Sequence, residues 1–338
     1  MPELPEVETV RRMLAGAIPE RRIARATVSG KKLRTSSLSA LPAKLQGRAF
    51  ATPRRTGKFL LLDLDGGVTL LSHLGMSGRW LFWPAGKLAD AAMPHVHLKL
   101  VFGDGATLWY QDIRRFGMLR VVATDELHKD ASLKLLGPDP LAERRDGGAL
   151  CAAAKGARTR IKTWLLDQRK IAGVGNIYAS EVLFRTRIDP RRRAGGLSAD
   201  EWARLAIEIP LVLEESIARM GTTFSTYRTI WNEPGQYGEQ LLVYDRLDEP
   251  CRACDTPIRR IVQSGRSTFY CAHCQTREGA SALSPSSRSA ERKAVATRGA
   301  ATSRAMPQRR DAVGKPARKP ARRKLQHATT RRGPPRAK

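Results

Sequence analysis

The sequence predicts an α+β protein in four segments: a β half opened by an N-terminal helix, a helical half, a small cysteine module and a charged tail. Three observations carry that reading. Apolar residues alternate with period two from about residue 23 to 123, the spacing turns helical after Leu133, and four of the five cysteines gather late in the chain as two close pairs. The boundaries fall at 1–130, 131–240, 241–276 and 277–338.

The first helix is announced by Pro5, which suits an N1 position. Glu3, Glu6 and Glu8 crowd its positive end, while Arg11 and Arg12 follow further along. Val7, Val10, Leu14 and Ile18 form one apolar stripe. Two hairpins follow: Lys58 to Leu64, the turn Asp65-Gly66-Gly67 and Val68 to Leu71, then His95 to Phe102, Gly103-Asp104-Gly105 and Ala106 to Tyr110. Alternation in the second puts Val96, Leu98, Leu100 and Phe102 on one face. His95, His97 and Lys99 fall on the other, which is expected to be solvated or to meet a ligand. Helical patterns run through Ile161 to Asp167 and Asn176 to Arg185. Ser198-Ala-Asp-Glu201 is a capping box opening a helix that Gly221 closes and Pro210 kinks. Residues 222 to 239 have turn formers and scattered aromatics without a period, and read as a mobile loop.

Charge narrows the function. The tail holds eighteen Lys or Arg against three acids in 62 residues, without one Phe, Trp or Tyr. A chain so charged buries too little surface to offset its ordering entropy, so disorder is expected. The remaining 276 residues still hold 42 bases against 29 acids, so the folded part itself is expected to meet a polyanion. No stretch approaches the ~18 to 20 uninterrupted apolar residues of a membrane helix. MPELPEVETVRR carries acids where a secretion signal has bases, so a cytosolic setting is expected.

Cys251-Arg-Ala-Cys254, then sixteen residues, then Cys271-Ala-His-Cys274 has the spacing of a tetrahedral zinc site on two short turns. One structural Zn²⁺ is expected, with His273 a possible competitor for the shell and Arg259, Arg260 and Arg266 on the hairpin between the pairs. Gly173-Val-Gly-Asn176 before a helix offers free amides, either as a phosphate seat or merely as a turn and cap. With Met1 removed, Pro2 is a free secondary amine. An α-amino group titrates near 7.7 to 8.0, so about a tenth or more is unprotonated at neutral pH. Attack on an aldehydic sugar carbon gives an iminium that keeps its charge and acts as an electron sink. Glu3 can donate a proton beside it. The plainer alternative is that Met-Pro-Glu only starts a helix.

Together these residues resemble the bacterial formamidopyrimidine-DNA glycosylase family. MPELPEVETVRR, TGKFLLLDL, HLGMSG from His73, QDIRRFG, VGNIYASE from Val174 and GRSTFYCAHC carry the likeness, over about residues 1 to 275. It implies an N-terminal antiparallel β-sandwich, a helix-two-turns-helix domain with a lesion-capping loop and a zinc ribbon, with duplex DNA carrying oxidised bases or abasic sites held between them. Pro2 then corresponds to the Schiff-base nucleophile, Glu3 to the general acid, Lys58 to the β-elimination lysine and Arg266 to the arginine of δ-elimination. His95, Arg114, Arg158 and Asn176 match DNA contacts. Met76, Arg114 and Phe116 match the trio filling the hole left by the extruded nucleotide, and Glu181 matches a carboxylate behind the site. The resemblance also implies a bacterial, nucleoid-associated enzyme, and nothing in the sequence suggests more than a monomer.

Three positions depart from the family pattern. Ile113 stands where proline is usual, Arg158 replaces a lysine, and Ser225 replaces a residue that is often basic in the capping loop, with Arg228 nearby. Two rival readings stay open: an endonuclease VIII-like enzyme for oxidised pyrimidines, and a non-catalytic zinc-ribbon DNA-binding protein.

Overall fold

The computed structural model describes residues 2–34, 36–87 and 92–277. The predicted disordered tail beyond Arg277 lies outside the described residues.

Helix α1 (Leu4–Ala17) forms where the acidic, proline-led turn predicts, with Glu3 as N-cap and Pro5 one position later than expected, at N2. The Glu3 N–H donates to Glu6 Oε2 at 2.8 Å, closing the first turn. The stripe of Val7, Val10, Leu14 and Ile18 is wholly buried. Beyond it come β1 (Ile23–Val28), α2 (Leu41–Leu45), β2 (Arg54–Thr56), β3 (Phe59–Leu64), β4 (Val68–His73), β5 (Gly78–Trp83), β6 (Val96–Phe102), β7 (Thr107–Asp112) and β8 (Met118–Ala123). They make two four-stranded antiparallel sheets, β1-β6-β7-β5 and β2-β3-β4-β8. Leu60, Leu62, Leu70 and Leu119 of one share a core with Trp80, Leu98, Leu100 and Tyr110 of the other. That is a β-sandwich, and the Trp80 Nε1–H donates to Ser72 Oγ across it at 3.1 Å.

Strict alternation fails at one place. A register shift between Val96 and Leu98 against β7 turns His97 inward. It is therefore not on a solvated face. His97 is buried, its Nδ1 paired with Ser29 Oγ at 2.9 Å and its Nε2 with the Asp112 carbonyl at 3.0 Å. Lys99 lies over the Trp109 ring at 4.1 Å, so the expected three-residue ligand face does not exist.

The helical half contains α3 (Gly147–Ala154), α4 (Ile161–Leu166), α5 (Asn176–Arg185) and α6 (Ala199–Ala218). Ser198 and Glu201 form the reciprocal cap, and Gly221 ends α6 with a 2.8 Å bond to Ser216. Pro210 lies inside α6, which continues through it. A second core joins α3 to α6 with Leu4 of α1. The ribbon is β9 (Arg259–Gln263) paired with β10 (Arg266–Tyr270). The segment read as a mobile loop is pinned to the sandwich: Tyr227 and Ile230 enter its core, and the Phe82 N–H donates to the Ile230 carbonyl at 2.9 Å. No described helix is long and apolar enough to cross a membrane.

Candidate active site and nucleic-acid interface

Glu3 sits at the junction of the two cores. The α1 cap fixes its backbone, and the Leu4 N–H donates to the Gly173 carbonyl at 3.1 Å. One carboxylate oxygen, Oε1, accepts the Ile177 N–H at 3.0 Å from the first turn of α5. The helix N-terminus read as a phosphate seat thus holds the chain's own carboxylate. The other oxygen, Oε2, is buried without a hydrogen-bond partner. A buried acceptor left open is costly unless a ligand completes it.

Two glycines make this approach possible. A Cβ on Gly175 would lie 2.2 Å from Glu3 Cδ, and one on Gly173, whose φ is +92°, would meet Leu4 at 2.5 Å. Gly175 is extended, so the clash alone forbids a side chain. Gly175→Ala is accordingly expected to push the carboxylate off the α5 turn and slow single-turnover base excision by roughly 10- to 100-fold. Binding to an uncleavable abasic duplex should stay within a few-fold of the parent. An unchanged excision rate would contradict this placement of Glu3.

Lys58 and Lys162 flank that carboxylate. Lys58 follows the Gly57 turn into β3, is buried, and donates to the Val174 carbonyl at 3.2 Å. Burial lowers its pKa against the opposing pull of Glu3. Sequence reasoning passed over Lys162. It lies on α4 and donates to Asn176 Oδ1 at 2.7 Å, the Ser267 carbonyl at 2.8 Å and Thr268 Oγ1 at 2.8 Å, joining the helical half to the ribbon. Burial brings its pKa down to about 7, although Glu3 pulls it upward. A lysine in a short helix otherwise apolar except for Thr163 was the available signal. Glu6, read only as a dipole partner, accepts the Thr222 N–H and the Tyr178 hydroxyl. Burial, with Glu3 alongside, pushes it up to about 7. His73, packed on Phe59, is brought down to about 4 by burial and then by Lys58.

Asn176 opens α5, and its Nδ2–H donates to the Ser267 carbonyl at 3.0 Å and to the Tyr244 hydroxyl at 3.3 Å. Glu181, about one and a half turns along that helix, accepts the N–H groups of Leu242, Val243 and Tyr244 at 2.8 to 3.0 Å. It is fully buried, and burial raises its pKa. Glu181 thus fixes the irregular segment 242–244 that positions Tyr244. Arg266, at the start of β10, is exposed, and its charge reaches Lys58, Lys162 and Tyr244.

A second cluster lies at the sandwich edge. Buried Asp112 accepts the Ser77 hydroxyl and the Gly117 N–H, clamping the 74–77 turn to the 113–117 loop. Arg114 is tied to Ser77 Oγ through its N–H and lies 4.7 Å from the Phe116 ring. Arg34 stands 5.3 Å from that ring. Met76 and Phe116 are 36 % and 38 % exposed, unusual for large apolar residues on a tied loop. Ile113 is half exposed beside them, and exposed His95 joins through its carbonyl, which accepts the Asp112 N–H. Arg158 is also exposed, on the turn between α3 and α4, and among the described residues no contact connects it to either cluster.

Family comparisons agree with this geometry along the chain. The formamidopyrimidine-DNA glycosylase N-terminal domain matches residues 1–119, the formamidopyrimidine-DNA glycosylase H2TH domain 136–228, and the zinc finger found in FPG and IleRS 248–277. The chain belongs to the formamidopyrimidine-DNA glycosylase family. It is 43 % identical over 282 residues to the formamidopyrimidine-DNA glycosylase of Ruegeria pomeroyi and 44 % over 277 to that of Gluconobacter oxydans, spanning 81 % of this chain and all of each relative. Among solved structures it is similar to Lactococcus lactis FPG bound to DNA containing Fapy-dG, at TM-score 0.75 and 30 % identity over 82 % of this chain and all of that one. A complex of the same organism's protein with abasic-site DNA gives 0.74 and 29 %, over 81 % of this chain and all of that one.

The family's zinc module fits the residues present. The four Sγ atoms of Cys251, Cys254, Cys271 and Cys274 lie within 4.8 Å of one another, and three of the six separations are 3.4 to 3.9 Å. Zn–S bonds of about 2.3 Å in a tetrahedron require S···S edges of roughly 3.8 Å. One structural zinc ion is therefore accommodated. His273 is exposed and stands outside the set.

Proposed function

We propose that this chain is a bifunctional DNA glycosylase and abasic-site lyase of base excision repair, acting on oxidised purines such as 8-oxoguanine and formamidopyrimidines. The observation that carries the reading is Glu3, with one oxygen seated on α5 and the other buried and open beside Pro2. After removal of Met1, the Pro2 nitrogen attacks C1′ of the extruded nucleotide. Glu3 donates its proton as the sugar ring opens and the base leaves. The resulting iminium cannot neutralise itself by losing an N–H, so it draws electrons from C2′ once that carbon loses a proton. The 3′ phosphate leaves, and a second elimination releases the 5′ phosphate. Lys58 is assigned to the first elimination and Arg266 to the second.

The partner in this proposal is duplex DNA with an oxidised base or abasic site, bound by a monomer in a bacterial cytoplasm. A base inside a duplex is out of reach, so flipping is required, at a few kcal/mol. Phe116, stacked by Arg114 and beside Met76, is suited to fill the vacated stack. His95, Arg158 and Asn176 are assigned to phosphates, which position without reading sequence. The four segments are assigned the boundaries 1–130, 131–240, 241–276 and 277–338 in this reading.

A Lactococcus lactis FPG complex with DNA containing an oxidised pyrimidine keeps the endonuclease VIII-like reading as the alternative. Ser225, exposed in the capping loop between Phe224 and Thr226, leaves the base contact to its neighbours. Excision of 8-oxoguanine opposite cytosine and of thymine glycol in matched duplexes decides between them. Faster release of 8-oxoguanine is expected, and preference for thymine glycol would defeat the purine assignment.

A further inference from the structure

Away from the Glu3 centre, the helical half and the ribbon enclose a cavity of about 430 Å³ walled by Arg160, Arg191, Arg192, Gln263 and Arg277. Local structure brings them there. Arg160 precedes α4, bridges to Arg193 and donates Nη1–H to the Arg191 carbonyl at 2.5 Å. Gln263 ends β9 and donates Nε2–H to the Pro190 carbonyl at 3.1 Å. A parallel bridge between Ile188 and Thr276 delivers Arg277 to the rim.

The walls are not charge-balanced. Arg191 pairs with buried Asp189, and Arg192 with buried Glu201. Arg160 and Arg277 are exposed, and among the described residues neither has a carboxylate partner. Four guanidiniums against two carboxylates leave two positive charges in one concavity. Planar guanidinium donors match the paired oxygens of a phosphodiester, which would relieve their repulsion.

Two of the cavity's wall residues, Arg160 and Gln263, adjoin in sequence Thr159 and Ser264 of a second cavity that reaches Arg266. Across the Gln263–Ser264 end of the hairpin lies that second cavity, of about 720 Å³, lined by Lys155, Lys170, Arg266 and an Arg169 paired with Asp167, among others. The hydroxyls of Thr163 and Ser264 meet at 3.4 Å between α4 and the hairpin. A basic strip therefore runs from Arg266 past the ribbon tip to Arg160 and Arg277. That proximity to Arg266 favours the duplex, extended past the ribbon tip, over a separate acidic polypeptide.

We propose that the arginine-walled cavity is an accessory anchor for the phosphodiester backbone of duplex DNA beyond the lesion cleft. It rests on the proposed function only in taking DNA as the ligand, and no catalytic residue takes part. The anchor adds affinity and salt dependence without lesion preference.

The test is the full chain carrying Arg160→Glu and Arg277→Glu, with Arg160→Gln and Arg277→Gln as a milder pair that keeps the fold readable if the first melts low. Binding to an undamaged 30-base-pair duplex is measured across a salt series, and single-turnover cleavage of a lesion duplex at saturating enzyme is measured beside it. Each lost phosphate contact removes about 0.9 from the slope of log K on log salt. The Glu pair is expected to flatten the slope by about 1 to 2 and to weaken binding at least several-fold, with cleavage at saturation unchanged; the Gln pair shows the same effects, smaller in size. An unchanged slope overturns the proposal. So does slowed cleavage at saturation, which would make the cavity part of the catalytic cleft. Unchanged DNA binding with loss of binding to a polyglutamate probe would instead assign the cavity to an acidic polypeptide.

Discussion

Pro2→Gly is expected to lower strand cleavage and borohydride trapping on an 8-oxoguanine duplex by about 100-fold or more, while affinity for an uncleavable abasic analogue stays within a few-fold. Glycine retains an N-terminal amine of similar basicity, so the loss comes from two other sources. Its Schiff base can shed an N–H proton and cease to be an electron sink, and its backbone loses the proline ring's fixed φ at the entry to α1. Glu3→Gln is expected to separate the steps. Base release falls by roughly 10²- to 10⁴-fold, as for loss of a positioned general acid, whereas trapping on a preformed abasic site persists because no base must leave. Equal loss on both substrates would mean that Glu3 only positions Pro2.

Cys251→Ala is expected to be the most damaging change outside that centre. Zinc binding in isolated zinc-finger peptides contributes about 10 to 16 kcal/mol, more than a two-stranded hairpin supplies for itself. Loss of the ion releases β10, and with it the Ser267 and Thr268 acceptors that hold Lys162 and Asn176. DNA affinity should fall about 100-fold or more with the zinc content, measured together by elemental analysis and a binding titration. The sandwich has its own core between two sheets and should survive, read as retained protease resistance of the N-terminal fragment. A zinc-free variant with full affinity would contradict the role given to the ribbon.

Much of this architecture was legible because local signals agreed with the global fold. Val7, Val10, Leu14 and Ile18 marked the buried face of α1, Asp65-Gly66-Gly67 marked the β3–β4 turn, and the cysteine spacing marked the ribbon. The failures have specific causes. A bulge at Val96–Leu98 is invisible to period counting, so His97 was placed on the wrong face. Gly173 to Asn176 was read as a phosphate seat or a mere turn and cap, and nothing local showed that the occupant is the carboxylate of Glu3, 174 positions away from Ile177. Lys162 was missed because one lysine in a short helix is a weak signal on its own, and the partners that give it meaning lie on α5 and β10. The capping segment showed no period, and nothing local revealed that Tyr227 and Ile230 complete the sandwich core. Long-range partners are what a single chain's pattern withholds.

The proposed chemistry turns on which atom captures the sugar. Borohydride trapping of the wild-type chain on an 8-oxoguanine duplex, followed by proteolysis and mass spectrometry of the cross-linked peptide, reads that atom directly. The expected result is a reduced sugar remnant on the α-nitrogen of a peptide beginning Pro2-Glu3-Leu4. A remnant on Lys58 or Lys162, or a peptide still carrying Met1 in the trapped and active fraction, would contradict it.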